Sequence, residues 1–330
     1  MTRRTFLATT AALAAQTPAR TSMGIATTSF SRRRFADTLS FLDYCHSLGA
    51  GGIQASLTST APEFVKKLRA RVEELGMFLE VMAGLPRQDL AAFERAVSAA
   101  KDAGALCLRV ACLGGRRYET FDSMEAWKKF VADSKTALER AVPVLEKHRL
   151  RMAVENHKDW TTEEMVPLLK SYSSQYVGIC LDTGNNIAML DDWLETAEAF
   201  APYAFSTHIK DMGVELYEDG FLLSEVPLGE GYVDLRKIME LVRKHHPQTR
   251  MTLEMITRNP LRIPCLTEKY WATWPERPAF RLARMLRTVR EKAGRQPLPR
   301  VESLDREAQA RLEEDNVKQC LHYARQQLGA

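Results

Sequence analysis

The chain has 330 residues, 45% of them hydrophobic and 27% charged, and its 46 basic against 42 acidic side chains leave a net charge of +4. So small and dispersed an excess argues against a nucleic-acid footprint, and the length suits one large α/β barrel as well as two domains. None of the six cysteines forms a Cys-x-x-Cys pair; Cys107, Cys112 and Cys180 lie in or beside apolar runs and read as buried free thiols.

The first seven residues, Met1 to Leu7, pair Arg3 with Arg4 ahead of Phe6 and Leu7, and the small apolar run Ala8–Ala15 follows. This resembles a twin-arginine export signal, with small-residue cleavage positions near Ala12–Ala14 or Thr17–Ala19. The expectation is a leader over residues 1–22 and a periplasmic or otherwise exported protein, the alternative being a cytoplasmic one with an ordinary leader. No other stretch is long and apolar enough to cross a bilayer.

From Met23 onward short apolar runs alternate with amphipathic stretches. The predicted strands are Gly24–Phe30, Gly52–Leu57, Met77–Met82, Leu106–Cys112, Arg151–Asn156, Val177–Asp182, Ala204–Ile209 and Met251–Ile256. Between them, Thr60 with Glu63 and Thr161 with Glu164 have capping-box spacing, and Phe64, Leu68, Val72 and Leu75 form an apolar stripe that stops at Gly76. Gly49 and Gly104 occupy helix-terminating positions. Strand–helix alternation implies parallel strands with right-handed crossovers, and no Gly-x-Gly-x-x-Gly follows the first strand. The expected fold is a (β/α)8 TIM barrel over residues 23–295, with a C-terminal helical extension over 296–330.

Two segments fall outside the repeating pattern. Thr257–Pro275 reads as a long irregular loop whose Tyr270, Trp271 and Trp274 either form a lid or substrate wall, or pack on neighbouring helices. After a helix over Phe280–Lys292, Pro297-Leu298-Pro299 breaks the chain. A charged helix from Ser303 to Gln327 follows, with Leu304, Ala308, Leu312 and Val317 as its expected inner stripe.

The active site of a parallel barrel forms at the carboxyl ends of its strands. Here four consecutive strands end in Glu155, Asp182, His208 and Glu254. Singly, each is a commonplace cap partner or structural histidine; together, three carboxylates around one mouth need a counter-charge. One divalent metal ion supplies it, and three oxygen donors with one imidazole favour Mn²⁺, Mg²⁺ or Co²⁺, with Zn²⁺ also compatible. His157 and Lys210 follow Glu155 and His208 by two residues and so share their faces. With Asn185 and Arg109 they are the expected substrate contacts.

This order of Glu, Asp, His and Glu on the last four strands resembles the xylose-isomerase-like barrel superfamily, over roughly Met23 to Lys292. The resemblance implies that Glu155 and Glu254 serve both as ligands and as an acid–base pair, that Asp182 and His208 complete the metal site, and that a keto-sugar or related polyol is isomerised or epimerised through an enediolate. Ketose 3-epimerases of that group carry a substrate-binding Glu, His and Arg where this chain has Thr161, Asn185 and Val214, which speaks against a free-ketohexose epimerase. His208-Ile209-Lys210-Asp211, Asp219-Gly220-Phe221 and Pro227–Asp234 are closer to the inosose-dehydratase branch. A carbon–oxygen lyase acting on a keto-sugar, keto-glycoside or inosose is therefore the alternative, and a non-catalytic sugar-binding barrel the remote one. The trinuclear nucleases of the superfamily need more histidines than the seven here, of which His46, His148, His245, His246 and His322 fall in or at the ends of helices. The basic loops Arg32–Arg34 and Gly114–Arg117 are either solvated or an anion seat. A small-molecule sugar is the expected partner, with a homo-oligomer as a further option and no nucleic acid or membrane.

Overall fold

The computed structural model describes residues 19–274, 276–294 and 297–330. The twin-arginine motif, Pro275 and the expected boundary at 295/296 lie outside them. Among the described residues no helix is long and apolar enough to cross a membrane.

All eight predicted strands are present: β1 Gly24–Ala26, β2 Gly52–Ala55, β3 Phe78–Met82, β4 Cys107–Ala111, β5 Arg151–Glu155, β6 Val177–Asp182, β7 Ala204–His208 and, later in the chain, β10 Thr252–Leu253. They form one parallel sheet in the order β10-β1-β2-β3-β4-β5-β6-β7. A parallel bridge between Ile209 and Leu253 brings its two edges together, so the sheet is a TIM barrel. The strands are buried almost throughout because each carries apolar residues toward both the barrel interior and the helices. β1 is shorter than expected, because Thr27–Ser29 turn into a 3-10 helix. That turn lets the Ser29 hydroxyl donate to the Leu253 carbonyl at 3.3 Å.

Gly76 ends the helix Pro62–Leu75 in the left-handed region, φ 59°, a conformation without steric cost for glycine. Thr161 and Glu164 form the expected capping box. Thr60 and Glu63 do not: Ala61 precedes the helix and Pro62 opens it, and a proline there has no N–H to satisfy. On the same helix Val65 takes the buried place expected of Phe64.

The sequence reading missed a small antiparallel sheet. β8 Asp211–Tyr217 and β9 Gly220–Val226 form a hairpin, and β11 Leu261–Ile263 pairs with β9. Thr257–Pro275 is thus partly regular, containing β11 and a helical turn Glu268–Trp271. Its aromatics pack inward: Tyr270 is wholly buried and donates to the Ala188 carbonyl at 2.8 Å, and Trp271 Nε1 donates to the Cys265 carbonyl at 2.9 Å.

The C-terminal helix spans Arg306–Gln327 and buries Glu313, Val317, Cys320, Leu321 and Ala324; of the expected stripe only Val317 is buried. Tyr44 of helix Thr38–Ser47 donates to its Glu314 at 2.6 Å. Arg243 of helix Leu235–His245 donates to the Leu328 carbonyl just beyond its end, at 2.9 Å. It therefore stands beside both the first helix of the ring and the last one before β10, covering the seam that β1 and β10 close. Helix Ala279–Lys292 instead reaches Asp191 and Glu195 through Arg281 and Arg284. All six cysteines are buried and free.

Candidate metal and substrate site

Glu155 ends β5, Asp182 ends β6, His208 ends β7 and Glu254 directly follows β10. Each offers one donor atom, and these atoms all lie within 4.8 Å of one another. His208 Nδ1 stands 3.4 Å from Glu155, 3.7 Å from Asp182 and 3.3 Å from Glu254. Parallel pairing sets the spacing: Asp182 and His208 are register partners across β6 and β7.

Supporting contacts aim each donor. Asp182 Oδ1 accepts the backbone N–H groups of Gly184 and Asn185 at 2.9 and 2.8 Å, which turns Oδ2 toward the cluster. Asn185 Nδ2 donates to Glu155 Oε1 at 3.0 Å, and Thr28 Oγ1 to Glu254 Oε1 at 2.7 Å. His208 Nε2 lies 2.7 Å from Gln54 Oε1. The Gln54 amide is oriented in turn, because its Nε2 donates to Glu80 at 2.9 Å, so Nε2 of the imidazole carries the hydrogen. Nδ1 then presents its lone pair to the three carboxylates, the arrangement by which an outer contact fixes a metal-binding tautomer.

The cluster is left incomplete by the protein itself. His208 Nδ1 is buried and makes no hydrogen bond, although unpaired buried polar atoms are rare. The carboxylate oxygens have ionic partners, Arg109 at Glu155 Oε2 and Lys210 Nζ at 2.6 Å from Glu254 Oε2 and 2.9 Å from Asp182 Oδ2, whereas no cation of the protein meets His208 Nδ1 among the described residues. Burial alone would raise the Asp182 carboxyl; Lys210 and His208 outweigh it and hold the group at about 2. Glu254 is likewise kept well below the usual range, with His208 and Lys210 overcoming its burial. Burial opposes the imidazolium of His208, yet Cys180, Glu254 and Asp182 draw its pKa well upward. The pocket thus attracts a cation to Nδ1, and an oxygen-rich donor set with one imidazole could hold a divalent ion.

The four expected substrate contacts surround this cluster. Lys210 pairs with Asp182 and Glu254 and not with Asp211, whose carboxylate accepts backbone N–H groups of Met212, Gly229, Gly231 and Val233. Asn185 links Glu155 to Lys210, whose Nζ donates to its Oδ1 at 3.3 Å. His157 has an unbonded buried Nδ1, and its burial, reinforced by Lys158 and Arg109, pushes its pKa down to about 3. It is a neutral imidazole near neutral pH.

Sequence reasoning missed six residues here: Thr28, Gln54, Glu80, Lys158, Glu225 and Arg258. Gln54 and Glu80 had a usable signal, since a polar residue inside a short apolar strand must find a buried partner. Glu225 hides in the apolar run of β9, where it takes a two-pronged contact from Arg258 at 2.5 and 3.1 Å. Three arginines of the basic loops are spent elsewhere: Arg33 pairs with Glu314, Arg116 with Glu119, and Arg117 is buried against Trp127 and Trp274; Arg32 and Arg34 are exposed.

A parallel eight-stranded barrel with a buried Glu-Asp-His-Glu set at the carboxyl ends of its last four strands defines a class of metal-competent barrel proteins. The family model described as xylose isomerase-like TIM barrel matches residues 42–289, and the chain belongs to that family. It is 28% identical over 214 residues to the 3-oxo-isoapionate decarboxylase of Pectobacterium atrosepticum, covering 62% of this chain and 73% of that protein. The fold is shared with a D-psicose 3-epimerase crystallised with D-fructose, at 14% identity and a TM-score of 0.61 over 93% of this chain and 99% of the other. It is also shared with 3-keto-D-glucoside 4-epimerase from E. coli, at 14% identity and a TM-score of 0.56 over 82% and 100%.

Proposed function

We propose that the protein is a divalent-metal-dependent isomerase or epimerase that removes a proton from the carbon beside the carbonyl of a keto-sugar or keto-polyol. The observation that carries this reading is the geometry of Glu155 and Glu254. They come from separate strands, share one donor cluster with His208 and Asp182, and each has one oxygen held by a neutral side chain. Glu155, Asp182, His208 and Glu254 would hold the ion. When bound, it would stabilise negative charge developing on substrate oxygens. Glu254, kept ionised, would take the proton and later release it to solvent, and Glu155 on a different strand, protonated from solvent before the return step, would deliver one to the carbon. Lys210 and Asn185 hold substrate oxygens, and Arg109 keeps Glu155 in place. The twin-arginine-type start extends the proposal to an exported protein, which fractionation of cells expressing the tagged full chain tests.

The decarboxylase relative favours a second reading on the same site, a lyase. Loss of carbon dioxide or of a hydroxyl shares an enediolate-like charge distribution with proton removal, so one cluster serves either chemistry. The test is incubation of the Mn²⁺-supplied protein in D₂O with keto-sugars, inososes and 3-keto-glycosides. Deuterium entering one carbon, lost in Glu254→Gln, supports the isomerase reading; a shortened or dehydrated product supports the lyase. Failure to bind any of Mn²⁺, Mg²⁺, Co²⁺ or Zn²⁺ would overturn both.

A further inference from the structure

One charged group at the mouth has no charged partner within the protein. Lys158 is 3% exposed and sits in left-handed backbone, φ 57°, a region that non-glycine residues seldom occupy. Its ammonium donates to Asn185 Oδ1, and among the described residues no carboxylate lies within 4.0 Å of it. Lys210 donates to that same oxygen, so two ammonium groups converge on one neutral acceptor. Lys210 has Asp182 and Glu254 as partners; Lys158 has none. Buried charges are ordinarily paired.

The surrounding charge points the same way. Glu155, Asp182, Glu225 and Glu254 are balanced one for one by Arg109, Lys158, Lys210 and Arg258. A divalent ion on the carboxylate cluster then shifts the enclosed mouth toward positive charge. A substrate carrying a carboxylate would offset that positive charge. Of the basic-loop arginines, which would suit a phosphate, Arg33, Arg116 and Arg117 are committed to Glu314, Glu119 and the tryptophans, and Arg32 and Arg34 are exposed.

We propose that Lys158, with Lys210 beside it, is the seat of a substrate carboxylate, and that the protein acts on a keto-sugar acid in preference to a neutral ketose. This rests on the metal-dependent reading above, because the charge excess arises from the ion. Burial, with Lys210 and Arg258 adding to it and Glu225 and Asp182 opposing, pulls the Lys158 ammonium down to about 7. A carboxylate arriving beside it would restore the proton.

The experiment is calorimetric binding of 5-keto-D-gluconate, D-fructuronate, D-fructose and D-fructose 6-phosphate to the Mn²⁺-loaded full chain, in buffers of different ionisation enthalpy near pH 7.5. The expected result is at least tenfold tighter binding of one of the keto acids than of D-fructose, with net proton uptake. Lys158→Met should bring that ratio close to one and remove the uptake, and Lys158→Arg should restore most of the ratio. Equal affinity for acid and neutral sugar in the unmodified protein, tighter binding of the phosphate ester than of either acid, or a preference that survives Lys158→Met would each overturn the proposal. The first comparison needs no variant, so misfolding of Lys158→Met cannot obscure it. Metal content and deuterium exchange on the same samples keep the two readings apart. Exchange into D-fructose without any acid preference overturns the carboxylate seat alone; Lys158-dependent acid binding without exchange or product overturns the chemistry alone.

Discussion

Arg117 and His208 are almost wholly enclosed, 1% and 0% exposed respectively, yet their surroundings differ in one respect. Every nitrogen of the Arg117 guanidinium has an acceptor. Nε and Nη2 reach the hydroxyl and carbonyl of Thr273, and Nη1 reaches Glu164 and the Asp159 carbonyl. Its plane lies between Trp127 and Trp274, 3.5 and 4.4 Å from their ring centres. At the mouth, by contrast, His208 Nδ1 has no hydrogen-bond partner and faces carboxylates of Glu155, Asp182 and Glu254 at 3.3 to 3.7 Å. A buried polar cluster that exists for stability closes its own hydrogen bonds; one that exists to receive something else leaves specific atoms open, at a cost in folding free energy.

The largest effect expected from this contrast is on chemistry. Glu254→Gln should lower deuterium exchange into substrate by roughly 10²–10⁴-fold, the usual contribution of a general base, while the melting temperature falls, because Lys210 and His208 lose a counter-charge. A variant that exchanges normally would make the cluster structural and erase the contrast.

Arg117→Ala should do the reverse. Losing a buried arginine with its stacking and hydrogen bonds is expected to cost about 3 kcal/mol of stability, read by urea denaturation, with no change in metal stoichiometry for the protein that remains folded. Loss of metal binding in that variant would show the two clusters to be coupled.

A third test uses pH. Lys158 has a folded pKa of about 7 against an ordinary 10.5, with burial as the main cause and Lys210 and Arg258 next. A base depressed by folding contributes nothing above its unfolded pKa and penalises the native state increasingly as pH falls, fully so below 7. Lys158→Met removes the penalty, so its stability gain over the unmodified chain should be larger at pH 6 than at pH 9 by roughly 3 kcal/mol. Denaturation curves at the two pH values read it directly; a gain independent of pH would mean that the ammonium is solvated or paired in solution.

The smallest effect is expected one shell out. Gln54→Leu removes the acceptor that sets the His208 tautomer, and metal affinity should fall about tenfold with the carboxylates untouched. Unaltered affinity in a competition titration would show that neighbouring packing alone orients the imidazole.

The sequence by itself determined the eight strands, the barrel class and the four residues of the central cluster. Buried parallel strands are written as short apolar runs, and a polar residue closing such a run faces the rim whatever the rest of the chain does. Glu155, Asp182, His208 and Glu254 could therefore be found one strand at a time. Tertiary structure alone decided the partners. Thr28 meets Glu254 across 226 residues of sequence, Gln54 meets His208 across 154, and Lys158 shares Asn185 with Lys210 only after β5, β6 and β7 are aligned. The hairpin β8–β9 could have been read from Asp219-Gly220, a turn pair suited to a hairpin, but its delivery of Glu225 to Arg258 could not. The seam beneath Arg306–Gln327 was also beyond local reading, since its buried stripe is set by a groove between two distant helices. Hydrophobic periodicity is a property of neighbouring residues, whereas satisfying a buried charge depends on which distant residue barrel closure brings within 3 Å or so.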